Sequence, residues 1–150
     1  MKLSTRSRYG TRLMLELAKK YDDGPVLLKE ISKNQDVSLK YLGQLIIPLK
    51  AAGLVGSNRG AKGGYYLLSA PSDVKIKDIV TAVEGPLYIV DCVGNKKLCN
   101  KSNNCITRRI WKELSDKFKT YLSSITLKDL VDMANGQKDV NKIIKKGAEF

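Results

Sequence analysis

The chain has 150 residues, 43% of them hydrophobic and 28% charged, which suits one compact globular domain with an added helix or tail and excludes a disordered chain. Lys and Arg number 27 against 15 acidic residues, and histidine is absent, so the formal charge of +12 points to a polyanionic partner and excludes a histidine-based catalytic site. No run approaches the roughly 20 apolar residues of a membrane span, Met1-Lys2-Leu3-Ser4-Thr5-Arg6 has no signal-peptide core, and an odd count of 3 cysteines argues against a disulfide framework, so a cytoplasmic protein with reduced thiols is expected.

The first helix is expected over Ser7–Lys20, where Tyr9, Leu13, Leu17 and Tyr21 recur every four residues and Met14 and Ala18 widen the stripe. Asp22-Asp23-Gly24-Pro25 stops it. A short second helix covers Leu28–Lys33. After Asn34-Gln35-Asp36-Val37 a third opens at Ser38, a good N-cap residue, and buries Leu42, Leu45, Ile46 and Leu49. Lys40, Tyr41, Gly43 and Gln44 fall largely on its other side, and Gly53 ends it. Pro48 is a local conflict, because it removes the backbone bond to the Gln44 carbonyl and should kink the helix.

Two strand-like runs, Leu54–Asn58 and Tyr65–Leu68, flank the cationic glycine-rich turn Arg59-Gly60-Ala61-Lys62-Gly63-Gly64. A helix with Ile76, Ile79, Val80 and Val83 inward follows Pro71. The stretch Asp91–Asn104 is polar and holds Cys92 and Cys99, and Cys105 stands where the next helix begins. That helix carries Ile106, Ile110, Trp111, Leu114, Phe118, Tyr121 and Leu122, a stripe longer than a small core needs, which suggests a dimer helix. Thr126 and Asp129 have capping-box spacing for a final helix, and the chain from Gly136 is expected to be loosely ordered. There is no internal repeat. The organisation expected is a DNA-binding region over 1–70, a linking helix and cysteine loop over 71–104, dimerisation helices over 105–135 and a flexible tail over 136–150.

Three short helices followed by a basic hairpin make a winged helix-turn-helix, a mainly α fold with a small β-hairpin wing. The charge supports it: Lys2, Arg6, Arg8, Arg12, Lys19, Lys20, Lys29, Lys33, Lys40, Lys50, Arg59 and Lys62 are opposed before position 70 only by Glu16, Asp22, Asp23, Glu30 and Asp36. A basic surface alone is most often a solvated face, and a glycine-rich turn alone a surface loop; their order here favours double-stranded DNA. The first turns of a recognition helix need small or hydrogen-bonding side chains, and Ser38, Lys40, Tyr41 and Gln44 supply them, Gln44 being able to read adenine by a bidentate pair. Glycines let the wing backbone approach phosphate, so Arg59, Gly60 and Lys62 are the wing contacts, on phosphate or in the minor groove.

Cys92, Cys99 and Cys105 are separated by six and five residues. Free cysteine is often a small buried apolar residue, but the neighbours Asp91, Asn95, Lys96, Lys97, Asn100, Lys101, Asn103 and Asn104 cannot line a dry core. Thiols grouped in a polar loop suggest a metal site. Structural zinc would want C-x-x-C pairs and four ligands; an iron–sulfur cluster tolerates wider spacing. Thiol redox sensing without metal stays open.

Together these segments resemble the Rrf-two family of bacterial regulators. The resemblance runs to about Asn135 and rests on Lys2–Tyr9, Val37–Leu45, the wing Arg59–Tyr65, Glu84-Gly85-Pro86 and Ile125–Leu130. The cysteine trio, with Thr107 and Trp111, is most similar to the family's iron–sulfur-cluster regulators. That implies a homodimer on a pseudo-palindromic operator, repression of cluster-assembly genes, and a cluster on Cys92, Cys99 and Cys105, 2Fe–2S ahead of 4Fe–4S. The sequence departs from that branch at Arg108, where proteobacterial members have a histidine ligand, and at Gly43, where relatives often carry glutamate. A fourth ligand would then be a carboxylate, a backbone or hydroxyl group, an exogenous thiol or water. The body of the chain also resembles the family's cysteine-metabolism repressor, which lacks the trio, and its nitric-oxide sensor, whose trio is spaced differently.

Overall fold

The structure is a computed structural model that describes residues 3–137 and 139–146. Helices α1 (Thr5–Lys19), α2 (Leu28–Gln35) and α3 (Leu39–Ala51) lead into a hairpin of β1 (Val55–Asn58) and β2 (Gly64–Leu67). Then come α4 (Ile76–Glu84), a one-turn α5 (Asp91–Gly94), a 3-10 turn at Lys96–Leu98, α6 (Ile106–Ser123), α7 (Leu127–Ala134) and α8 (Val140–Lys146). This is the winged helix-turn-helix expected from the sequence.

α1 is the hub. Ser4 caps it by accepting from the Arg6 N–H at 3.0 Å, and Leu13, Met14 and Leu17 are buried against α3, α4 and α7. Gly10 is the point of close approach to α4, since a Cβ there would lie 3.3 Å from Val83 Cγ1. α2 ends at Asp36, whose φ of 51° makes the tight turn into α3. Ser38 caps α3 by accepting from the Tyr41 N–H at 3.2 Å. The helix stays continuous through Pro48, which sits in its last turn, and Gly53 follows with φ of 71°. The proline conflict is thus absorbed near a helix end, where few backbone bonds remain to be lost.

β1 and β2 pair antiparallel, with Val55 opposite Leu67 and Asn58 opposite Gly64. Val26 adds a third, single-residue rung by exchanging two backbone bonds with Tyr65, both 2.8 Å. A second bridge joins Lys75 to Thr126, so α4 and α7 start side by side. Thr126 and Asp129 form the capping box read from their spacing.

Two sequence readings change. The long α6 stripe divides: Leu122 is buried and Phe118 and Tyr121 half-buried on the core, whereas Ile106, Ile110, Trp111 and Leu114 are exposed. The tail was expected to be loosely ordered from Gly136, but residues 140–146 form α8, whose Ile143 joins the core. Asp139 accepts from the Asn141 N–H at 2.9 Å at the start of this short helix, and Ile143 packs it on the core. Lys138 and 147–150 lie outside the described residues.

Candidate nucleic-acid interface and cysteine loop

α3 buries Leu42, Leu45, Ile46 and Leu49 and leaves Ser38, Leu39, Lys40, Gln44 and Ile47 exposed. Among the described residues, neither Lys40 nor Gln44 has a side-chain partner, so both can meet a ligand without breaking a bond. Tyr41 is placed differently. It is half-buried, its hydroxyl lies 3.1 Å from Thr5 Oγ1, and its ring meets Tyr9 edge-on at 5.8 Å. It ties α3 to α1, so its hydroxyl is already engaged within the fold. Arg8 and Arg12 lie over the Tyr9 ring at 5.7 and 5.2 Å, which brings cations from α1 to the opening of α3.

The wing continues this basic surface. Arg59, Gly60 and Lys62 are exposed, and among the described residues neither cation is in an ion pair. Gly60 has φ of 104°, and its carbonyl accepts from the Gly63 N–H at 2.9 Å, closing the turn. A Cβ on Gly63 would lie 2.5 Å from the Asn58 carbonyl, so only glycine fits there. Lys50 donates to Ser57 Oγ at 2.7 Å and fixes β1 against α3. At the end of α1, by contrast, Lys19 pairs with Glu16 and Lys20 with Asp23. Lys40 on α3 and Arg59 and Lys62 on the wing thus stand outside any ion pair among the described residues.

Sequence reasoning missed two networks that hold this surface. Glu16 is buried on α1 and accepts from Lys19, Asn34 and Gln35 at 2.8, 3.1 and 3.0 Å. Burial acts to raise its pKa, but those three donors outweigh it and hold the carboxyl below its ordinary value. Arg12 completes the tie through Gln35, reaching Oε1 at 2.6 Å and the carbonyl at 2.8 Å, so the last turn of α2 is clamped to α1. In the second network, Glu84 Oε1 accepts from the backbone N–H and hydroxyl of both Ser4 and Ser7. The only sequence trace of the first network was an acidic residue among apolar α1 positions.

The cysteine loop is held at its base. Arg108, on the first turn of α6, donates to the carbonyls of Cys92 at 2.8 Å and Val93 at 3.3 Å. The buried Ser115 hydroxyl accepts from the Ile89 N–H at 3.1 Å. Cys92 lies in α5, Cys99 is exposed beyond the 3-10 turn, and Cys105 immediately precedes α6, its thiol 3.2 Å from Thr107 Oγ1. The Thr107 hydroxyl, then the Arg108 backbone N–H, hold the Cys105 thiol below its ordinary pKa. Three free thiols suit iron–sulfur ligation in kind. Their placement does not: among the described residues no three Cys, Asp or Glu side chains converge as a metal site. Arg108 is spent on those backbone carbonyls.

Comparison with known proteins gives a consistent answer. The family model Rrf2, described as iron-dependent transcriptional regulator, matches residues 3–133. The HTH-type transcriptional regulator CymR of Bacillus subtilis (strain 168) is 40% identical over 139 residues, 93% of this chain and 96% of that one. The HTH-type transcriptional regulator IscR of Yersinia pestis is 39% identical over 132 residues, 88% of this chain and 80% of that one. Among solved structures, CymR (YrzC), the global cysteine regulator of B. subtilis, superposes with a TM-score of 0.74 at 41% identity, covering 89% of this chain and 98% of that one. T. potens IscR has the same TM-score of 0.74 at 37% identity and covers 93% of each chain. No helix among the described residues is long and apolar enough to cross a membrane. The chain belongs to the Rrf2 family of transcriptional regulators, which are DNA-binding proteins rather than enzymes.

Proposed function

We propose that the protein is a homodimeric cytoplasmic repressor that sets two α3 helices into successive major grooves of a pseudo-palindromic operator, about one helical turn apart. The observation that carries this reading is the exposed α3 face, with Lys40 and Gln44 unpartnered among the described residues, beside a wing whose Arg59 and Lys62 are equally available. Ser38, Lys40 and Gln44 meet base edges and phosphates, Tyr41 sets the helix in place, and Arg59, Gly60 and Lys62 grip the flanking backbone or minor groove. Ile106, Ile110, Trp111 and Leu114 are exposed on α6 and are the surface a second copy covers.

Cys92, Cys99 and Cys105 are the proposed sensing element, as ligands of an iron–sulfur cluster, with 2Fe–2S preferred. A cluster held by Cys92, Cys99 and Cys105 would need the loop to draw the three thiols together and would then supply an oxidation-sensitive crosslink. The loop's own residues carry the rest: Arg108 ties Cys92 to α6, so rearranging the loop bears on the proposed dimer helix. A cysteine-metabolism or nitric-oxide type of control, acting on thiols directly or through a partner protein, is the second reading. The separated thiols and the Cys105–Thr107 contact favour it.

Two measurements test this. Duplexes selected in vitro from a random library should be bound with an affinity that falls steeply with salt. Arg59→Ala should weaken that binding roughly tenfold and lower the salt slope by about 1. Equal affinity and slope in the variant remove the wing from the interface. Protein purified anaerobically with iron and sulfide should show visible absorbance and a Mössbauer spectrum of a stoichiometric cluster, lost in Cys92→Ala. Colourless, iron-free protein that still binds the duplex leaves thiol or partner control.

A further inference from the structure

Gly43 lies in the middle of α3, where glycine lowers helix stability relative to alanine. Neither of the usual reasons for a glycine applies. Its φ is not positive, and a Cβ built on it meets nothing within 4 Å. Gly10 and Gly56 differ, because a Cβ there would press on Val83 or overlap the Tyr66 ring. The space over Gly43 is therefore open toward whatever α3 faces.

Its neighbours one turn away on either side are Leu39 and Ile47, 50% and 68% exposed. The i, i+4, i+8 spacing sets the three residues in a line about 12 Å long along one edge of the exposed face. The result is a methyl-sized notch between two large apolar side chains, on a face otherwise carrying Lys40, Gln44 and Lys50. The Lys40 cation matches phosphate, whereas Lys50 is held by Ser57. The apolar group that DNA presents in its major groove is the C5-methyl of thymine.

We propose that Leu39, Gly43 and Ile47 receive a thymine methyl group, so that α3 selects a T·A pair by apolar contact beside the position that Gln44 reads. This rests on α3 being the recognition helix, and the test separates the two claims. Each thymine of an in-vitro-selected duplex is replaced in turn by uracil, which deletes the methyl alone, and binding is followed by fluorescence anisotropy. Wild type should lose roughly three- to tenfold at one thymine per half-site. Gly43→Ala should raise the thermal midpoint while weakening binding of the thymine duplex about tenfold, and the uracil penalty should vanish. Ile47→Ser, at a solvent-exposed position, should fold normally and show a reduced penalty. Stability and affinity moving in opposite directions is not what a merely structural glycine produces. Wild-type binding indifferent to uracil at every thymine, or Gly43→Ala with unchanged affinity, overturns the notch alone. Failure of wild type to bind any duplex overturns the recognition-helix reading, and the notch with it.

Discussion

Gly64→Ala is expected to destabilise the protein by about 2–4 kcal/mol and to dislodge the wing. Gly64 has φ of 149°, a conformation L residues rarely adopt, and a Cβ there would lie 2.7 Å from the Val26 carbonyl oxygen and 2.8 Å from its carbonyl carbon. Both are backbone atoms and cannot swing aside. The next residue, Tyr65, exchanges two 2.8 Å backbone bonds with Val26, and Val26 is itself buried. An alanine must push away the strand that anchors the hairpin or abandon that pairing, and each choice leaves buried backbone groups unpaired. Urea denaturation should show the loss. Hydrogen exchange should localise it, with the Val26 and Tyr65 amides losing protection before those of α1. DNA affinity should fall at least as far as in Arg59→Ala, because the whole turn that carries Arg59 and Lys62 moves. Gly60→Ala is the contrast: φ is 104° but no atom lies within 4 Å, so only conformational strain of about 1 kcal/mol is expected. Equal unfolding midpoints for Gly64→Ala and wild type would show that the Val26 rung does not hold the wing.

What could be read from the sequence was whatever has a period or a cap. Leu13, Leu17, Leu42, Leu45 and Leu49 recur at helical spacing and are buried, and the Ser38 cap and the Thr126–Asp129 box formed where their spacing placed them. The hairpin followed from glycines between short apolar runs. Tertiary partners of polar residues were not readable. Glu16, Gln35 and Arg12 give no signal that they meet, because their pairing depends on how α1 crosses α2, which no local pattern encodes. Tyr41 shows the same failure: on a helical wheel it belongs to the solvent side, but α1 places Thr5 and Tyr9 against it. The cysteines were read from composition as a single group, whereas the one-turn α5 and the 3-10 turn set them apart in the described conformation. The polar loop around them has no periodicity from which such short turns could have been inferred.

Glu84→Ala should lower the thermal midpoint by about 4–10 °C, from a loss of about 1.5–3 kcal/mol, and weaken operator binding although Glu84 does not lie on α3. Its Oε1 accepts from Ser4 N–H at 3.1 Å, Ser7 N–H at 3.3 Å and both hydroxyls at 2.5 Å, so the last residue of α4 satisfies the orphan donors at the start of α1. Solvent reaches the carboxylate, which places the cost nearer the lower figure. Burial acts to raise its pKa, but the bonds from Ser4 and Ser7 outweigh that and hold the carboxyl below its ordinary value. A depressed folded-state pKa means the contribution is fully present above the unfolded value of about 4.3 and is lost as the pH falls through the folded value. Glu16 behaves alike, so wild type alone cannot separate the two carboxylates. Glu84→Gln can: its deficit against wild type should be constant near neutrality and shrink below about pH 4, where wild type loses the same charge. The effect on DNA follows from the next link. Thr5 lies between the two serines and its hydroxyl is 3.1 Å from that of Tyr41, so freeing the first turn of α1 frees the tie that seats α3. Tyr41→Phe should therefore reproduce part of the affinity loss of Glu84→Ala, with little effect on the acid limb of stability. A Glu84→Ala protein that melts early but binds the selected duplex as tightly as wild type would confine Glu84 to stability and leave the seating of α3 to the Tyr9–Tyr41 contact and the buried leucines of α3.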